Sequence, residues 1–90
     1  MTSPEPTPRP VQLGGWLDQV RRSLPSGGDL SLSEAEQQAL LDVARIAAHT
    51  SERIAAPLST FLAGVALGGL APPERARRLA DLARQLALPG

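Results

Sequence analysis

The sequence predicts an all-α fold, a small four-helix domain behind a disordered, proline-rich N-terminal tail. Three observations carry this. Apolar residues recur at helical spacing in four stretches after residue 12. Glycine and proline groups separate those stretches, at Pro25-Ser26-Gly27-Gly28, before Pro57, and at Gly68-Gly69 with Pro72-Pro73. The opening MTSPEPTPRP holds four prolines and no apolar run, so residues 1–11 cannot pack and read as a tail. Residues 12–88 are then the single domain, a size at which one core is only marginally stabilising.

Leu13, Trp16, Leu17, Val20 and Leu24 form one stripe of the first helix, with Asp18, Gln19, Arg21 and Arg22 opposite. Gly14 or Gly15 starts it and Pro25 stops it. Trp16 could anchor a partner, but an indole at this place more often closes one end of a small core. In the following loop Ser31 and Ser33 each have a Glu three residues on, the pattern of a capping box. Leu30 and Leu32 are expected to fold back over the core.

Helix two is expected over Glu34 to Arg53. Leu40, Leu41, Val43, Ala44, Ile46, Ala47 and Ala48 cover more than half its circumference, so it should contact more than one neighbour and sit centrally. Ala56 precedes Pro57 and is biased away from the helical region. Helix three therefore starts at Pro57; one long helix kinked at Pro57 is the other reading. Within it Leu58, Phe61, Leu62, Val65 and Ala66 are expected to face the core, so that Phe61→Ala would cost about 3–5 kcal/mol. Thr60, Ala63, Gly64 and Leu67 fall on the other side. Pro72-Pro73-Glu74 opens helix four. Its inner face is Ala76, Leu79, Leu82, Ala83 and Leu86, and Arg77, Arg78, Asp81, Arg84 and Gln85 lie outside. Glu74–Arg78 and Arg77–Asp81 have the spacing of ion pairs.

The composition excludes several functions. Formal net charge is zero and there are two aromatic residues, which argues against nucleic acid. The chain has no cysteine and one histidine, so no disulfide, cysteine-based zinc or catalytic triad is expected, and no cofactor. No glycine-rich phosphate loop occurs. The N-terminus lacks the layout of a signal peptide, so a cytoplasmic protein is expected. Ile54 to Pro73 carries no charge and is long enough to test as a membrane span. Its prolines, glycines, Ser59 and Thr60 favour a buried helix and loop instead, so no membrane is expected.

Two candidate surfaces remain. Arg45, His49 and Arg53 are spaced i, i+4, i+8 along helix two, a row that could hold a small anion or nucleotide. Asp42 and Glu52 lie beside it, and a solvated face with local ion pairs accounts for the same residues. Helix three carries no charge on either side. Thr60, Ala63, Gly64 and Leu67 are thus either covered by the N-terminal segment and the Leu30–Leu32 loop, or left for a protein partner or a second copy.

Residues 42–64, DVARIAAHTSERIAAPLSTFLAG, resemble a small actinobacterial helical domain of unknown function. The shared features are Asp42, Ala44-Arg45, Ala48-His49, Glu52-Arg53, Ala55-Ala56-Pro57-Leu58, Thr60-Phe61-Leu62 and Gly64, with Trp16-Leu17 similar to its first helix. Ile54 stands where a second proline is expected. That domain occurs alone or fused C-terminal to molybdenum cofactor guanylyltransferase. The resemblance implies a non-catalytic accessory module linked to molybdopterin guanine dinucleotide synthesis. The alternatives are an anion-binding protein using the Arg45/His49/Arg53 strip and a membrane-associated helical protein.

Overall fold

The computed structural model describes residues 12–25 and 30–88. The expected tail, residues 1–11, lies outside them. Four α-helices and no strands are present among the described residues: α1 Leu13–Ser23, α2 Glu34–Thr50, α3 Ala55–Leu67 and α4 Pro72–Ala87. One domain was the expectation over 12–88; the contacts of the chain fall into two compact units, Met1–Leu30 and Ser31–Gly90.

The first unit contains α1. Its stripe forms as the spacing predicts, yet no residue of α1 is buried. Leu17 and Val20 are half-buried, and Leu13, Trp16 and Leu24 are exposed. Trp16 is thus not among the buried side chains. Arg21 holds the C-terminal end: its Nη1 meets Asp18 at 2.8 Å and its Nε donates to the Leu30 carbonyl at 2.7 Å.

In the second unit α2 is central, as its wide apolar arc predicts, and packs against both α3 and α4. Ser33 caps α2 by accepting the Glu36 N–H at 3.1 Å. The other half of a capping box is absent, because the Glu36 side chain points away to Arg75. Glu36 is 2 % exposed. Arg75 Nη2 donates to Glu36 Oε1 at 2.9 Å and to the Ser31 carbonyl at 2.8 Å, and its Nε also meets the carboxylate. This one guanidinium ties together the first turns of α2 and α4 and the residues leading into α2. The sequence reading did not pair these residues, since 39 positions separate them.

α2 ends at Thr50, three residues before the expected Arg53. Ser51 leaves helical geometry at φ −117°, ψ −101°. A turn follows, with Ala55 N–H donating to the Glu52 carbonyl at 2.8 Å and Ala56 to Arg53 at 3.2 Å. α2 and α3 are thus separate helices. α3 starts at Ala55, two residues before the expected Pro57. Pro57 stands third in the helix, where its missing N–H would have no intrahelical acceptor in any case. The bias on Ala56 does not prevail against this first turn.

The core is small and rich in alanine. Ala39, Ala63 and Leu79 form its centre, with Leu40, Leu67, Ala80 and Leu82 packed around them. Val43, fully buried, and Ala83 complete the buried apolar set. Alanine on facing surfaces lets helix backbones approach closely. α4 follows its expected inner face through Ala76, Leu79, Leu82 and Ala83, while Leu86 is exposed. Outside, Glu74 meets Arg78 at 3.1 Å as expected. Arg77 turns back to Glu74 rather than forward to Asp81, which pairs with Arg84. The two arginines hold the Glu74 carboxyl below its usual range, chiefly through their hydrogen bonds.

Candidate functional site

The orientation of α3 is the reverse of the one expected. Leu58, Phe61, Leu62, Val65 and Ala66 are exposed, Phe61 and Leu62 each by 68 %. Ala63, expected outside, is 6 % exposed and sits at the centre of the core. Leu67 and Thr60 are half-buried; of the four residues expected on the open side only Gly64 is exposed. The physical reason lies in the two neighbours. Ala39 of α2 and Leu79 of α4 cluster with Ala63 of α3, and a small residue such as Ala63 lets the backbones come closer than Phe61 could. The large side chains go where no helix of this unit competes for the space.

The open side is one stripe. Ile54, Leu58, Phe61, Leu62 and Val65 are each exposed by about two thirds and carry no charge or polar group. Ile54 lies just before α3 but is already helical, at φ −69°, ψ −14°, and Gly68 just after it is helical too, at φ −62°, ψ −21°. The stripe therefore runs on continuous helical backbone from 54 to 68. Beside it, apart from the backbone of α3 itself and the neighbours of Gly64 in sequence, nothing lies within 4 Å of where a Cβ on Gly64 would stand.

The second candidate, the Arg45/His49/Arg53 strip, is not one row. Arg45 and His49 lie exposed on α2, but Arg53 lies beyond its end, in the turn. Arg45 is 3.9 Å from Asp42, whose Oδ1 also accepts from Gln38 at 3.1 Å. This is one solvated ion pair and one exposed hydrogen bond, both of small energetic weight.

A cleft of about 270 Å³ opens between the end of α2, the start of α3 and Leu86 of α4. Ile46, Ala47 and Ala55 supply apolar walls, and Thr50, Ser51 and Ser59 supply hydroxyls. Among the described residues none that lines it carries a charge. Among the described residues no group of His, Asp or Glu is placed to hold a metal ion. No helix among them is long and apolar enough to cross a membrane.

No curated protein and no solved structure matches the chain. Residues 8–89 match the family described as Domain of unknown function (DUF6457), a span that takes in all four helices, α3 with its stripe among them. A match over nearly the whole sequence places the chain in that family: it is a member of DUF6457.

Proposed function

We propose that the chain is a non-catalytic helical interaction module, with the outer face of α3 as its contact surface. The observation that supports this is the uncharged stripe of five large apolar side chains held about two thirds open. Exposed apolar side chains scattered singly are ordinary; a contiguous stripe of this size on one helix marks a contact surface. A helix that is apolar all round calls for cover on all sides, and α2 and α4 cover only one side of α3.

The test uses the absence of cysteine from the chain. Leu62→Cys introduces one thiol on the stripe of the 90-residue chain. At high dilution that thiol is expected to react with a soluble maleimide at the rate of an unprotected cysteine. Strong protection at high dilution would mean that the chain covers its own stripe, and the reading would fail.

The resemblance of residues 42–64 supports a narrower form, in which the module serves molybdopterin guanine dinucleotide synthesis. Titration of the purified chain with a molybdenum cofactor guanylyltransferase tests it. Saturable binding is expected, and absence of binding at high micromolar concentrations removes the molybdenum link without touching the contact surface.

A further inference from the structure

We infer that the occupant of the α3 stripe is the α3 stripe of a second copy, paired antiparallel to form a two-fold dimer. This rests on reading the stripe as a contact surface and adds the identity of the partner.

Spacing is the first argument. Ile54, Leu58, Phe61, Val65 and Gly68 are separated by four, three, four and three residues. That alternation is the seam of a helix packed on another helix, at positions equivalent to a and d. A flat partner or an extended peptide would not require it. The backbone is helical at both ends of the seam.

The second argument is size. An antiparallel pairing centred on Phe61 sets Ile54 of one copy against Gly68 of the other, and brings Leu58, whose exact counterpart is Gly64, beside Val65. Large then meets small at each end, which fills the seam evenly. A parallel pairing would set Ile54 on Ile54 and Gly68 on Gly68, crowding one end and leaving the other empty. The helix dipoles also oppose each other in the antiparallel arrangement.

Charge is the third. The positions flanking the seam include Leu62, Pro57 and Gly64 and carry no charge. Flanking charges are what select unlike partners in helix pairs. Their absence lets identical faces meet without repulsion, and the chain has no net charge to keep copies apart.

The area is sufficient for a modest dimer. Five large side chains open by two thirds offer on the order of 100 Å² each, or roughly 500 Å² per copy. Pro57, Gly64, Ala66, Gly68 and Gly69, all exposed, border them. Together they approach the ~800 Å² per partner of a standard interface.

Sedimentation velocity on the 90-residue chain tests this across the micromolar range. The mass is expected to rise with concentration from 9.4 kDa to twice that value. Leu58→Arg should weaken association by about a hundredfold, because it buries a charge without a partner, while leaving the helical circular dichroism unchanged, since Leu58 is exposed. The double variant Leu58→Arg/Val65→Glu should recover the dimer, since antiparallel pairing brings the two substituted positions together across the axis. In Leu62→Cys the thiol should become protected as concentration rises.

A wild type that stays monomeric at hundreds of micromolar overturns the inference. The thiol then separates the causes. If it reacts freely at every concentration, the surface awaits a different protein and the contact reading stands. If it is protected even at high dilution, another part of the chain, such as the apolar stripe of α1, covers it and both readings fail. A dimer unaffected by Leu58→Arg also overturns the inference, as it must use another surface.

Discussion

At the scale of single residues, what looks important in the second unit and what is buried there are different side chains. Leu79 is nearly inaccessible and touches the core centre; Phe61, the only phenylalanine, stands in solvent. Leu79→Ala should therefore cost about 2–5 kcal/mol. Phe61→Ala should change the stability of the dilute monomer by less than about 0.5 kcal/mol. Urea unfolding of both variants at low concentration checks the pair, and the reverse order of effects would show that α3 is turned the other way. The Glu36–Arg75 pair makes a second contrast. Both side chains are largely buried, so the pair's net worth is modest while breaking it is costly. Arg75→Met should lose about 3–5 kcal/mol by leaving a buried carboxylate unpaired. Glu36→Leu with Arg75→Met should regain most of that loss, because neither charge is then buried. A single variant as stable as wild type would mean that the carboxylate reaches water in solution.

At the scale of elements, helix existence was legible and helix orientation was not always so. Ser33 and the Pro72-Pro73 pair marked the starts of α2 and α4 because capping and proline geometry act locally. The inner face of α4 was legible because arginines and carboxylates occupy its opposite side. α3 has no such contrast: it is apolar on every side, so periodicity gives no direction. Its orientation is set by small residues on α2, a tertiary effect that large-residue patterns do not encode. The same limit hid the Glu36–Arg75 pair, whose partners meet only once α2 and α4 pack. The strip Arg45/His49/Arg53 failed as a row for a local reason, since α2 stops at Thr50. Gly64 gives a prediction at this scale. It lies within α3, exposed, and a Cβ there would meet nothing within 4 Å beyond the helix backbone and its neighbours in sequence. Gly64→Ala should stabilise the dilute monomer by about 1 kcal/mol through helix propensity. A higher melting temperature checks it; a lower one would mean that something in solution already packs closely on Gly64.

At the scale of the whole molecule, the buried residues are unevenly distributed along the chain. Glu36, Ala39, Val43, Ala63, Leu79 and Ala83 all lie in Ser31–Gly90, and α1 has none. Residues 31–90 thus contain a complete core of their own. A chain of about sixty residues buries a smaller share of its surface than a larger one and is marginal in stability, but such domains do fold alone. The cut must respect the entry to α2. Ser31 supplies the carbonyl that receives Arg75, and Ser33 supplies the cap on Glu36 N–H. A fragment of residues 31–90 is therefore expected to be helical and to unfold in one cooperative transition, followed by circular dichroism against temperature. A fragment of residues 35–90 should be less stable by about 1–3 kcal/mol, through loss of the cap and of one bond to a charged donor. If the longer fragment shows only gradual, uncooperative loss of helix, then the alanine-rich core is insufficient by itself, and residues 1–30 contribute to holding it.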